Sequence, residues 1–433
     1  MMVPSNRLLL AAAVIAVPAA TIAGFVPAAA SVCIAILVAA AAVALVDAIL
    51  AHRQIQSIEA SVPQVLRLTK DVPATVPITL LSSSPAGFSG TLWCGSPVWC
   101  GPLSREPMAF QTLPGAGVLA YPITVPTRGD HPFTPLFLQS PSPLRLWHAR
   151  ATLPLDCTLR VYPNLRDRAT AALFLRTADL GVRLHRQVGK GREFDNLRHY
   201  MPGDSFEDVS WKATARRGFP TVKLYRVENA QEIYAVVDAS RLSGRAAILE
   251  AYVDAALHLA LVAESQHDRF GLVTFSDRTH RFVRARNGMD HFRLCRETIY
   301  NLQPRRVSPD VREVFTSLQL NLRRRSLLVF FTSLDDALLA ETFQRDVGIL
   351  ARRHLVLVNV MHPPGLQPLF AGEAPADLDS LYAGLAGQLV SNRMRELQIA
   401  LQNHGVRMSI VDPARIKAQV TSQYLDVKRR QIL

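Results

Sequence analysis

The eight residues IYAVVDAS, Ile233 to Ser240, decide how the second half of this chain is read. Five consecutive apolar side chains run straight into Asp238, without the alternation of a half-exposed strand and without the length of a helix. That is the pattern of a parallel strand buried on both faces. In open sheets of such strands, ligands bind beyond the carboxyl ends, so an aspartate in the last position stands where recognition or chemistry would occur.

Downstream, helical and strand periods alternate. Ile248, Leu249, Val253, Leu257 and Leu261 predict a helix over 246–263, followed by a strand at 269–276, helices at 290–302 and 310–322 and a strand at 326–333. A helix at 336–351 and a strand at 354–361 continue the alternation. Beyond a loop rich in proline and glycine (363–376), a helix at 377–403, a strand at 406–412 and a terminal helix at 413–429 complete it. The expectation for 231–433 is an α/β doubly wound domain.

Just upstream lies GREFDNLRHYMPGDSFEDVSWKATARRG, Gly191 to Gly218, the densest mixture of charge, aromatics and turn chemistry in the chain. Pro202-Gly203 reads as a turn, with glycine free to take a positive φ. Ser205 and Asp208 have capping-box spacing, the acids Glu207 and Asp208 precede the bases Lys212, Arg216 and Arg217, and Gly218 supplies a stop. These signals predict one short helix over about 205–217, with Phe206, Val209 and Ala213 on its apolar face. An alternating strand, VKLYRV (222–227), follows, and 166–230 as a whole reads as a connector carrying this segment.

The run from Gly191 through Glu193, Asp195, Arg198, Tyr200, Gly203 and Asp204, then Trp211, Lys212 and Arg216, resembles the signature of a bacterial family known as domain of unknown function fifty-eight. Members of that family carry a von Willebrand factor type A-like domain. RVYPNL (160–165), IYAVVDAS and YLDVKRRQIL agree at the flanks and at the end. The resemblance implies a strand-end site in which an Asp-x-Ser-x-Ser motif and residues of two later loops bind a divalent cation such as Mg²⁺. Carboxylate and hydroxyl oxygens suit a hard ion of that kind. Here the candidates are Asp238, Ser240, Ser243 and Ser308, and the match is degenerate. Leu242 stands in the third position of the motif, displacing the second serine, and Thr332-Ser333-Leu334 replaces the usual Ser-Asp pair, with Asp335 and Asp336 following. The family also implies a MoxR-type AAA+ ATPase as partner.

Two functions remain open on the residues. One is a non-catalytic interaction protein presenting the Asp238 end of its sheet. The other is a metal-assisted hydrolase using the carboxylates of 193–208 with His199 as a nearby base. No nucleophile elbow, phosphate loop or His-Glu-x-x-His run occurs, which favours the first.

Residues 60–165 change in texture. Short apolar runs broken by proline, glycine, serine and threonine predict a small antiparallel β-sandwich. Trp93, Trp99, Phe110 and Trp147 read as its core, and the Arg-Gly-Asp string in PTRGDHP (126–132) as a turn. Before it, Leu8 to Leu50 is almost wholly apolar, long enough for two membrane helices within 1–53 that turn near Gly24–Pro27. Arg7 precedes the block and His52 and Arg53 follow it, so both ends are expected on the cytoplasmic face of a bacterial inner membrane, with the bulk of the chain inside the cell. Asp47 is expected near the lipid headgroups. The formal net charge of +13 calls for anionic surroundings, yet the arginines are scattered rather than clustered among aromatics, which points to the bilayer rather than to nucleic acid. Five cysteines without metal-ligand spacing read as free thiols.

Overall fold

The apolar block at the start of the chain forms two helices, α1 (Asn6–Phe25) and α2 (Ala30–Gln56), in a computed structural model that describes residues 1–82, 88–94, 107–112, 115–133, 135–165, 188–189, 193–226, 230–244, 246–361 and 378–430. The described chain divides into two units, Met1–Asn164 and Leu165–Leu433. Both helices are long and apolar enough to cross a hydrocarbon layer, and Leu9, Val14, Val38 and Leu45 are among the side chains left exposed along them. The turn between them, Pro27–Ala29, lies where it was expected.

Eleven strands complete the first unit: β1 (Met2–Pro4), β2 (Ile58–Ser61), β3 (Val65–Thr69), β4 (Ala74–Ser82), β5 (Phe88–Cys94), β6 (Met108–Thr112), β7 (Gly115–Ile123), β8 (Gly129–Pro132), β9 (Leu136–Pro141), β10 (Trp147–Leu153) and β11 (Thr158–Tyr162). They form sheets in the orders β1-β10-β9-β5-β6, β2-β4-β7 and β3-β11-β8 around one core, in which Ile78, Leu92, Tyr121, Leu138 and Val161 are buried. The pairing departs from a purely antiparallel sandwich, because β3 and β11 run parallel. Strand β1, from before the first helix, pairs with β10, so the start of α1 and the end of α2 meet the same sheet. Phe110 is core as expected, whereas Trp93 and Trp147 are half-buried and Trp99 lies outside the described residues. The Arg-Gly-Asp string enters strand β8 rather than a free turn: Gly129 has φ +115° and Asp130 pairs with Arg160 at 3.6 Å. Cys33, Cys94, Cys157 and Cys295 are buried and in no disulfide, and Cys100 lies outside the described residues.

Asp47 gains partners that the sequence did not name. It is buried against the β9–β10 turn, accepting hydrogen bonds from the Ser142 hydroxyl at 2.5 Å and the Leu144 N–H at 3.0 Å, while Trp147 Nε1 donates to the Ala44 carbonyl at 2.8 Å. A carboxylate in an apolar helix is tolerated because these donors satisfy it. It pins the second helix to the sheet. Asp47→Asn, which keeps the acceptor for Leu144 but loses the charge-assisted bond, is expected to destabilise the first unit by about 1 kcal/mol. Thermal unfolding of the detergent-solubilised chain measures this, and an unchanged midpoint would show that the contact carries no weight.

The second unit opens with a three-stranded sheet, β12-β14-β13, built from β12 (Val188–Gly189), β13 (Glu193–His199) and β14 (Thr221–Arg226). Between β13 and β14 the expected single helix is broken. A 3₁₀ turn (Phe206–Asp208) is followed by α3 (Trp211–Arg217), with Val209 extended between them because it bridges to Val222. The capping box does not form, since the Ser205 side chain makes no cap bond. The two glycines behave as read: Gly203 has φ +108°, and Gly218, at φ +75°, closes the helix by donating its N–H to the Thr214 carbonyl.

The doubly wound sheet follows with β15 (Glu232–Asp238), α4 (Ala246–Ser265), β16 (Arg269–Phe275), β17 (Thr279–Arg286), α5 (Met289–Ile299), α6 (Val311–Asn321), β18 (Leu327–Phe331), α7 (Ala337–Ala351), β19 (Leu355–Met361), α8 (Leu378–Asn403), β20 (Arg407–Val411) and α9 (Ile416–Arg429). The strand order is β17-β16-β15-β18-β19-β20, parallel except for β17. Ile233, Ala235 and Val237 face one core with α4, α5 and α9; Tyr234 and Val236 face another with α6, α7 and α8. After β15 the chain builds outward through β16 and β17, then returns to place β18 on the other side of β15. The β15–β18 junction is therefore the topological switch point, where such sheets open a crevice.

Candidate functional site

Asp238 closes β15 at that switch point and is fully buried. Its Oδ1 accepts the Ser240 N–H at 2.7 Å, and its Oδ2 accepts the Thr332 hydroxyl at 2.8 Å from just beyond β18. Burial pushes its pKa up, opposed by these donors and by the nearby Ser243 hydroxyl. Ser243 Oγ is itself buried and makes no hydrogen bond of good geometry. Below the site, Tyr252 from α4 donates its hydroxyl to the Thr332 carbonyl at 2.8 Å and accepts the Met361 N–H at 3.2 Å. Complete desolvation drives that phenol well above its ordinary range, so it stays neutral and braces two strand ends.

Two further loops converge here. Arg305 N–H donates to the Ala239 carbonyl at 2.7 Å, and Arg241 N–H to the Val307 carbonyl at 3.0 Å, which locks 239–241 to 305–307 and brings Ser308 alongside. Arg241 Nε donates to Ser308 Oγ at 3.0 Å, and its Nη2 lies 3.4 Å from Asp336 Oδ2. Asp336 also caps α7 through the Leu338 and Leu339 N–H groups. The residues expected to hold a cation (Asp238, Ser240, Ser243 and Ser308) thus lie on loops that meet at this strand end. The Ser308 oxygen and Asp336 both face the Arg241 guanidinium. Among the described residues no three His, Cys, Asp or Glu side chains group as a metal site. Sequence reasoning missed Arg241 and Tyr252, and it named Thr332 without its bond to Asp238. Arg241 was visible as a base inside the Asp-x-Ser run, but its partners lie 67 and 95 residues away.

The signature residues form a separate surface of the same unit. Arg198 and Asp204 pair at 2.6 Å, and Asp204 accepts the Met201 N–H at 2.8 Å; that backbone bond, then Arg198, holds its carboxyl below the usual range. His199 stacks on Phe219 with centroids 3.9 Å apart, and Tyr200 meets Phe206 at 5.6 Å. Phe206, Trp211 and Met201 are 71, 68 and 60 % exposed, beside the exposed bases Lys212 and Arg216. The side chains of Glu193 and Asp195 lie outside the described residues.

One further cluster has the composition of a hydrolase site. Ser276 Oγ lies 2.6 Å from His280 Nε2, with Asp277 3.7 Å from the same nitrogen. Ser276 gives its only proton to Asp277 Oδ1 at 2.7 Å, so His280 donates to the serine rather than deprotonating it. A triad needs the carboxylate on the other ring nitrogen. This is a turn network.

Residues 196–367 match the family described as protein of unknown function DUF58, which bears out the resemblance carried by the signature. No curated protein matches the chain. Solved structures similar to it include the VWA domain of SpRpn10 (11 % identity, 45 % of this chain and 95 % of that one, TM-score 0.28) and the conserved hypothetical protein BatB from Bacteroides thetaiotaomicron (10 %, 45 % and 98 %, 0.26). An uncharacterized membrane spanning protein from Vibrio fischeri is also similar (15 %, 46 % and 98 %, 0.16). At these TM-scores it is the strand order, not the likeness, that defines the α/β unit.

Proposed function

We propose that the protein is a membrane-anchored, non-catalytic interaction module, which binds a protein partner through its von Willebrand A-like unit. The observation that carries this reading is the exposure of Met201, Phe206 and Trp211 within eleven residues of the signature segment, bordered by Lys212 and Arg216. Large apolar side chains clustered in the open beside bases are the composition of an interface, with Trp and Arg the usual anchors. The charge borders favour an acidic partner surface. The family resemblance makes a MoxR-type AAA+ ATPase a candidate, with α1 and α2 holding the chain in a bacterial inner membrane and both units on its cytoplasmic side.

The hydrolase alternative gains no support from the described geometry. Asp204 is tied to Arg198, His199 is stacked against Phe219, and the Ser276 hydroxyl is not activated. Cross-linking in native membranes tests the interaction. Trp211→Ala is expected to cut the yield of partner adduct five- to tenfold, about 1 kcal/mol or somewhat more, with the melting temperature unchanged. Full retention of the adduct would remove the signature surface from the interface.

A further inference from the structure

We propose that the Arg241 guanidinium is itself the cation of the strand-end site, filling the role that its oxygens would otherwise give to a divalent ion. A hard-ion site draws oxygens from several loops onto one positive charge. Here three loops do converge, on a side chain. Arg241 Nε donates to Ser308 Oγ at 3.0 Å and Nη2 meets Asp336 at 3.4 Å, while its own backbone N–H holds the Val307 carbonyl at 3.0 Å. A planar guanidinium spans two acceptors at fixed spacing, which a single ammonium cannot do.

What remains for an ion is poor. Among the described residues Asp238 is the one buried carboxylate at the switch point, both its oxygens already accept hydrogen bonds, and the Ser243 hydroxyl adds no charge. A dication drawing on Ser308 and Asp336 would have to displace the guanidinium that already occupies both oxygens. Arg241 therefore holds the loops in one arrangement at all times. The site needs no metal to be organised, and the half-exposed guanidinium presents its remaining N–H donors to whatever docks there. This deepens the interaction reading, yet its test reads an ion rather than a partner, so either can fail alone.

The experiment titrates Mn²⁺ into the full chain in detergent and follows the free-ion signal by electron paramagnetic resonance. Wild type is expected to take up no Mn²⁺ at the strand end. Arg241→Met, which removes the charge and frees Ser308 and Asp336, is expected to bind at least tenfold more tightly, and Asp238→Asn on that background to abolish the gain. Arg241→Lys, which keeps the charge, is expected to stay as blind to the ion as wild type. Circular dichroism confirms that each variant is folded, and Lys serves as the folded reference if Met is damaged. The proposal is overturned if wild type binds Mn²⁺ as tightly as Arg241→Met, if neither binds, or if Lys and Met gain affinity equally.

Discussion

Asp268→Ala is expected to lower the unfolding free energy of the α/β unit by about 3–5 kcal/mol, the cost of breaking a buried ion pair by removing one partner. Asp268 sits in the turn before β16 and is almost wholly buried. Its Oδ1 accepts the Gln231 N–H at 3.1 Å, at the entry to β15; its Oδ2 accepts Lys428 Nζ at 2.8 Å and the Tyr424 hydroxyl. One carboxylate thus ties the central strand to the terminal helix. Truncation leaves the Gln231 N–H and the Tyr424 hydroxyl without an acceptor and Lys428 with only the Gln266 carbonyl, and Tyr424, whose hydroxyl burial holds neutral, has no route to water. Urea unfolding of the full chain, followed by tryptophan-independent far-UV signal, measures the loss. A change below about 1 kcal/mol would mean that α9 is held by its apolar face alone, through Val420, Tyr424 and Val427.

Much of this arrangement could be read from residue order, and the limits of that reading have physical causes. The unbroken apolar run at 233–237 identified a doubly buried strand, and the alternation after it placed each parallel strand and its helices to within a few residues. Strand β17 escaped because it is an antiparallel edge. Its residues THRFVRAR carry arginines on the open side, so no continuous apolar run marks it. The helix expected over 205–217 was broken by a tertiary contact, the Val209–Val222 bridge, which outweighs a capping signal of modest strength.

The site shows the same division. Position was legible: an aspartate ending the first buried strand lands at the switch point whatever follows. Partnership was not. Whether Asp238 faces an ion, a hydroxyl or a guanidinium depends on which loops return to it, and Thr332 arrives from 94 residues away. Asp47 makes the point for the first unit, where a lone acid among apolar residues carries no mark of the serine 95 positions later that satisfies it.

Asp238→Asn is expected to stabilise the protein at pH 7, in contrast to the loss at Asp268. The two aspartates are both buried, but Asp268 has an ammonium against it and Asp238 has only hydroxyl and amide donors. Burial therefore raises the Asp238 pKa, and the folded state holds this proton at pH values where the unfolded chain has released it. Its favourable contribution is complete below the unfolded carboxylate's pKa, is lost as pH rises through the raised folded value, and stays lost above it. Asparagine keeps an acceptor for the Ser240 N–H and offers its amide to Thr332 Oγ1, so the hydrogen bonds survive without the charge. The gain in melting temperature should grow as pH rises above the unfolded carboxylate's range and vanish near pH 3, where wild type is itself protonated. A variant less stable than wild type at pH 7 would show that the charge is compensated within the fold and would sink this account.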